Sequence, residues 1–120
     1  EFLSFAKENY KTGVVSSASR EELARVIEVE NMKPYFQFVI GANDCERHKP
    51  DPLPYHMALQ RAEIEPHEAL VIEDSMVGIQ AAKQAGIPVI GVKSDQADEH
   101  LVKDVPYITT FHELHDWLRG

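Results

Sequence analysis

The stretch Val71-Ile72-Glu73-Asp74-Ser75-Met76-Val77-Gly78-Ile79-Gln80-Ala81-Ala82-Lys83-Gln84-Ala85-Gly86 decides how this chain folds. The apolar run leading into it, Ala69 to Ile72, carries β-branched residues and is too short for a buried helix, so it predicts an interior parallel strand covered on both faces. Beyond Ser75, small and apolar residues recur at helical spacing (Val77, Gly78, Ala81, Ala82, Ala85), and Gly86 follows to close the helix in the left-handed conformation. The unit is strand, acidic corner, helix. Such a corner lies at the carboxyl end of a strand, where open α/β sheets bind their ligands. Glu73 and Asp74 place two hard oxygen donors there, a set suited to magnesium.

Outward from that unit the same alternation repeats. Phe2, Leu3, Phe5 and Ala6 belong to an amphipathic helix, and Gly13 to Ser16 is a strand. Ser19 and Glu22 form a capping box that opens a helix with Leu23, Val26 and Ile27 as its inward stripe. A second strand, Phe38 to Gly41, precedes a polar loop from Ala42 to Pro50. Asp51 as cap and Pro52 at the first helical position open a helix whose Tyr55, Ala58, Leu59 and Ala62 share a face. After the central unit come a strand at Ile87 to Val92, a short helix at Asp98 to Lys103, an edge strand at Tyr107 to Thr109 and a closing helix at Phe111 to Leu118. Strands alternating with helices predict an α/β fold: a doubly wound parallel sheet with helices on both faces. The whole chain, 1–120, reads as a single domain, without repeats or a linker.

A chain of 120 residues can bury roughly two thirds of its unfolded surface, enough for a core without staples. The formal net charge of −8 and the lack of clustered Lys and Arg exclude a broad basic face, so nucleic acid is not an expected partner. No apolar run reaches membrane-spanning length, and no membrane partner is expected. A single cysteine, Cys45, forms no internal disulfide and suits a reducing cytoplasm; nothing beside it lowers its pKa, so it is read as inert. The opening Glu1-Phe2-Leu3-Ser4 is neither a signal peptide nor a natural initiation, and the expectation is a fragment.

Three segments place polar chemistry just past a strand: Ser17-Ala18-Ser19, Lys49 within His48-Lys49-Pro50-Asp51-Pro52, and Glu73-Asp74. A hydroxyl with backbone amides at a helix start can hold phosphate oxygens. Lysine adds a positive point charge, and magnesium on the acidic pair offsets charge on a transferring group. In this order the segments resemble motifs II, III and IV of the haloacid dehalogenase (HAD) superfamily. Ile72-Glu73-Asp74-Ser75 with Gly78, Ala81, Ala82 and Gly86 is similar to the Glu-Asp variant of its phosphatases and β-phosphoglucomutase-like members.

That resemblance implies a HAD-type Rossmann-like core and phosphoryl transfer from a small phosphorylated metabolite with Mg2+ as cofactor. It implies Ser17 as the hydroxyl on the phosphoryl group, with the Ala18 amide beside it, and Lys49 as the charge-balancing lysine. Asp74, and Glu73 directly or through water, are the implied metal ligands; Arg20 is a candidate for substrate contact, and Ser75 for ordering lysine and carboxylates. Catalytic roles thus fall on Lys49 and Ser17, and phosphate binding on Ser17, Ala18, Arg20 and Lys49.

The chain lacks the family's Asp-x-Asp nucleophile motif and the substrate-selecting cap. The expected object is therefore a carboxyl-terminal core portion, incomplete, with the central first strand missing and the isolated chain catalytically silent. Without that strand, the strands at Val14 to Ser16 and Leu70 to Glu73 each lose a neighbour. They are expected to pair directly, to swap between chains in a homo-oligomer, or to accept a strand in trans.

Simpler roles stand beside these. Ser19 is mostly a helix cap, His112 and His115 a solvated face, Phe111, Leu114 and Leu118 core, and Trp117 a partly buried packing residue. A noncatalytic phosphate- and magnesium-binding or oligomer-completing module is the alternative function. A dinucleotide binder is disfavoured by the lack of Gly-x-Gly-x-x-Gly after a strand.

Overall fold

The computed structural model describes residues 2–29, 31, 33–92, 106–108, 113, 116 and 118, and the side chains of these except at 2–4, 20 and 33. In chain order the elements are α1 (Phe2–Asn9), β1 (Gly13–Val15), α2 (Arg20–Val29), β2 (Phe38–Ile40), α3 (Leu53–Ala62), β3 (Val71–Glu73), α4 (Met76–Gln84), β4 (Val89–Val92) and β5 (Tyr107–Ile108). Short 3-10 turns at Lys33–Tyr35, Ala42–Asp44 and Pro66–Glu68 punctuate the connections. The helix expected at Asp98 to Lys103 lies outside the described residues, as do His112, His115, Phe111, Leu114 and Trp117. Of the closing helix, Glu113, Asp116 and Leu118 are described and helical.

Among the described residues every strand pairing is parallel, as the alternation required, but the strands form two sheets. One is β1-β2, with Val14 opposite Val39; the other is β3-β4-β5, with Ile72 opposite Ile90 and Val92 opposite Ile108. Direct pairing of β1 with β3 is therefore not what forms. Nor is β3 interior: among the described residues its sole strand partner is β4. Among the described residues, β1 pairs only with β2 and β3 only with β4, so each has one edge without a described strand, where a doubly wound sheet would continue.

The two sheets are held by α3, which packs against β1, β2 and α4. Its predicted face is the observed one: Tyr55, Leu59 and Ala62 are buried, while Ala58 is half-buried. Tyr55 and Leu59 meet Val71, Ile79 and Val89 in one cluster, against which Val15 of β1 also packs. The opposite face of the three-stranded sheet buries Ile90 and Ile108, with Ile72 and the helical Leu118 against them. Helices thus flank that sheet on both sides.

Local signals at the element ends hold closely. Glu22 N–H donates to Ser19 Oγ at 3.2 Å, making Ser19 the cap it was expected to be. Asp51 Oδ1 accepts from Leu53 N–H at 2.9 Å, although the helix begins after Pro52 rather than at it. Gly86 takes φ 78°, the left-handed closure that a side chain would resist. The inward stripe of α2 needs correction. Leu23 and Ile27 are half-buried, but Val26 is 55% exposed, because no described element packs along that flank.

Candidate phosphoryl-transfer site

The strand preceding the acidic pair runs one residue further than its apolar stretch, through Glu73. Alternate strand residues share a face, so Glu73 joins Val71 on the side covered by α3 and α4. It is 7% exposed, a buried carboxylate. Asp74, the next residue, is exposed in the corner. The two adjacent carboxylates therefore part company: one faces the core and one faces outward.

Buried charge must be paired and hydrogen-bonded, and Glu73 is. Its Oε2 accepts from Lys49 Nζ at 2.5 Å and from the Tyr55 hydroxyl at 2.6 Å. Oε1 accepts from Asp74 N–H at 3.2 Å and Ser75 Oγ at 3.3 Å. Ser75 Oγ in turn accepts from Gly78 N–H at 3.1 Å, capping α4. Ser75 thus orders the carboxylate and starts the helix at once. Gly78 faces the same group; a Cβ there would overlap the Glu73 carboxylate.

Lys49 comes from the loop before α3, just ahead of its cis peptide bond to Pro50. Its side chain is 8% exposed. Besides Glu73, its ammonium donates to the Val15 carbonyl at 3.1 Å and lies 5.3 Å from the centre of the Tyr55 ring. Val15 is two residues before Ser17, and Glu73 is beside Asp74. The lysine therefore ties together the corners that follow β1 and β3. Ser17 is exposed at the first of these, and Asp74 at the second.

The turn after β1 has its own bonding. Ala18 N–H donates to Ser16 Oγ at 3.1 Å, and Ala18 O accepts from Ala42 N–H at 2.8 Å. The amide expected beside the phosphate thus already has a partner. Arg20 begins α2, and its side chain is outside the described residues.

Two neighbours of the site escaped the sequence reading. The sequence pattern places Ser16 at the end of a strand and Tyr55 on the core face of a helix. A tyrosine on an otherwise apolar helix face was the available signal, since a buried phenol needs a hydrogen-bond partner. Burial above all, then the charge and hydrogen bond of Glu73, push the Tyr55 phenol far above its ordinary range, so it acts as a donor. Burial, seconded by Asp44, also raises the Cys45 thiol, whose Sγ rests 3.5 Å from Met57 Sδ. A raised pKa leaves less of the reactive thiolate, which agrees with the reading of Cys45 as a thiol that nothing activates.

Among the described residues, no group of three or more His, Cys, Asp or Glu is arranged to hold a metal ion. Glu73 has both oxygens engaged within the protein, which leaves Asp74 as the outward carboxylate. Magnesium commonly takes one or two protein carboxylates and fills its remaining positions with water and phosphate oxygens, so a single aspartate is compatible with it. No helix of the described residues is long and apolar enough to cross a membrane.

A parallel α/β core with a lysine and acidic residues gathered at strand ends defines a class of phosphoryl-transfer folds, and the chain's relatives are found there. The model of the haloacid dehalogenase-like hydrolase family matches residues 2–92, and the chain belongs to that family. It is 34% identical over 101 residues to pyrophosphatase PpaX of Listeria monocytogenes, covering 83% of this chain and 46% of that protein. It is 35% identical over 91 residues to the validoxylamine A 7'-phosphate phosphatase of Streptomyces hygroscopicus subsp. limoneus, covering 76% and 43%. Among solved structures, a HAD-superfamily hydrolase from Ehrlichia chaffeensis superposes with a TM-score of 0.86 at 31% identity, covering 98% of this chain and 54% of that one. A HAD phosphatase from Thermococcus onnurineus gives 0.87 at 24% identity, a likeness of fold. The chain thus spans less than half the length of these curated relatives. The carboxyl-terminal placement expected from the missing Asp-x-Asp motif and cap is not borne out by these comparisons.

Proposed function

We propose that this chain supplies the phosphate- and cation-binding groups of a magnesium-dependent HAD phosphatase or phosphomutase acting on a small phosphorylated metabolite. The attacking aspartate belongs to a segment outside these 120 residues, since the chain contains no Asp-x-Asp. In the reaction, that carboxylate forms a bond to phosphorus as the ester P–O bond breaks, and water or a sugar hydroxyl later takes the phosphoryl group.

The observation that carries this reading is the Lys49 ammonium, held at 3.1 Å from Val15 O and 2.5 Å from Glu73 Oε2 between the ends of β1 and β3. An ammonium has three N–H donors, and two have acceptors here; the third is left for an oxyanion. Ser17 donates its hydroxyl to the same phosphoryl group, and Arg20 contacts the rest of the substrate. Ala18 joins them only by giving up its bond to Ser16. Asp74 would hold Mg2+, which neutralises charge on the phosphoryl oxygens. Glu73, with both oxygens engaged within the protein, would contribute mainly by holding Lys49. The single cysteine fits a cytoplasmic protein.

Titration of the purified chain with inorganic phosphate, with and without Mg2+, tests the reading. Expected is magnesium-dependent binding that Asp74→Asn abolishes and Ser17→Ala weakens; both residues are exposed, so both variants keep the fold. Binding that is absent, or equal in Asp74→Asn, refutes it. Turnover of p-nitrophenyl phosphate by this chain alone would refute the outside nucleophile. Among the described residues β1 and β3 each have one edge without a strand, which favours a second reading, a noncatalytic module completed by a strand from another copy or another polypeptide. A dimeric mass in sedimentation, together with no phosphate binding, would favour it.

A further inference from the structure

We infer that Tyr55 is a positioning residue of this site: it fixes the direction in which Lys49 presents its remaining N–H. The inference rests on the phosphoryl-transfer reading above.

Tyr55 touches the Lys49–Glu73 pair at two points. Its hydroxyl donates to Glu73 Oε2 at 2.6 Å, the same oxygen that accepts Lys49 at 2.5 Å. Its ring lies under the ammonium, 5.3 Å from nitrogen to centroid. A carboxylate oxygen offers two lone-pair directions. The phenol occupies one, and the lysine is confined to the other.

With Val15 O fixing a second N–H at 3.1 Å, the ammonium is held by two acceptors and a ring face. Rotation about the Cε–Nζ bond is then stopped, and the third N–H has one direction. Tyr55 itself is 5% exposed and is anchored in the α3 face of the core, so its hydroxyl cannot drift. It does not reach a substrate. It acts through the carboxylate and the ammonium.

Removing only the hydroxyl opens the second lone pair of Oε2. Lys49 is then free to slide toward the carboxylate and turn its donors between the two directions. An oxyanion bound by that lysine loses an aligned partner, while the ring and the core packing stay. Tyr55→Phe isolates this effect; Tyr55→Leu removes the ring as well.

The test compares the wild-type chain, Tyr55→Phe, Tyr55→Leu and Asp74→Asn by calorimetric titration with inorganic phosphate in Mg2+. The Lys49 ammonium signal in proton–nitrogen spectra is followed in parallel. Expected is phosphate affinity about ten-fold weaker in Tyr55→Phe, the scale of one hydrogen bond to a charged group. Tyr55→Leu should be weaker still. The Lys49 ammonium protons should exchange with water faster in Tyr55→Phe, with the backbone spectrum elsewhere unchanged, a change that core packing alone would not produce. Tyr55→Phe binding phosphate within two-fold of wild type overturns the inference. If Asp74→Asn still weakens binding in that case, the site reading survives without it. If the wild-type chain binds no phosphate, the site reading falls and this inference with it.

Discussion

Gly78→Ala is the substitution that most directly probes the packing on which the site depends. Gly78 is in the first turn of α4, and an added Cβ would overlap the Glu73 carboxylate. A flexible side chain would swing aside at little cost. This carboxylate cannot, because Lys49 and Tyr55 hold Oε2 and Asp74 N–H and Ser75 hold Oε1. Either α4 backs away, straining a packed core by roughly 1–3 kcal/mol, or Glu73 leaves its partners, at roughly 3–5 kcal/mol for a broken buried ion pair. Alanine returns about 1 kcal/mol of helix propensity. The cheaper of the two routes sets the cost, so the net expectation is a loss of up to about 2 kcal/mol. For a domain of this size that is a fall of up to roughly 8 °C in Tm.

Thermal and urea unfolding followed by circular dichroism measure it. The same change in a Glu73→Ala background separates clash from propensity: with the carboxylate gone, the alanine should stabilise by about 1 kcal/mol, reversing sign. A Gly78→Ala chain more stable than wild type by the full propensity gain of about 1 kcal/mol would refute the reasoning, since the carboxylate would then have somewhere to go.

Two further outcomes follow from the same geometry. Lys49→Met should destabilise by about 3–5 kcal/mol in urea, because it strands the Glu73 charge in the core. Lys49→Met with Glu73→Leu should recover most of that loss, since apolar replacement of a buried pair is often neutral; a double variant no better than the single one would contradict this. Asp51 gives a pH signature: its carboxyl is held below the ordinary aspartate value, first by the Leu53 N–H and then by Arg47. A depressed folded-state pKa contributes stability above the ordinary value of 3.8 and loses it as pH falls through the folded value. The Tm gap between wild type and Asp51→Ala should therefore be open at neutral pH and close under acid; a gap independent of pH would count against the cap.

The helices, the strands and their parallel sense were legible because hydrophobic period and capping residues are local signals. Ser19, Asp51, Ser75 and Gly86 act where their side-chain chemistry placed them. What was not legible depends on neighbours distant in sequence. Val26 has the spacing of a core residue, but spacing does not say whether another element covers that flank of α2. Glu73 and Asp74 read as a pair because they are adjacent, yet strand alternation sends them to opposite sides. Two adjacent carboxylates were expected to need a cation. The chain provides one of its own to Glu73, and only Asp74 is left outward.

The pairing of site and fold at Lys49 has a backbone reason. In a parallel ladder, the amide and carbonyl of one residue point to the same neighbour and those of the next point the other way. Ser16 N–H donates to Ile40 O at 2.9 Å, so Val15, the residue before it, turns its own groups away from β2 and toward the strand's other edge. A carbonyl at such an edge, half-buried beside the core, needs a donor. Lys49 is that donor, at 3.1 Å. The ammonium that a phosphoryl group would require is thus held in place by a strand edge without a neighbour among the described residues on one side and by a carboxylate that strand alternation buried on the other. Neither anchor is a functional group by composition. Both arise from where two strands stop pairing, and for that reason the lysine's position follows from the topology of the sheets rather than from its own loop.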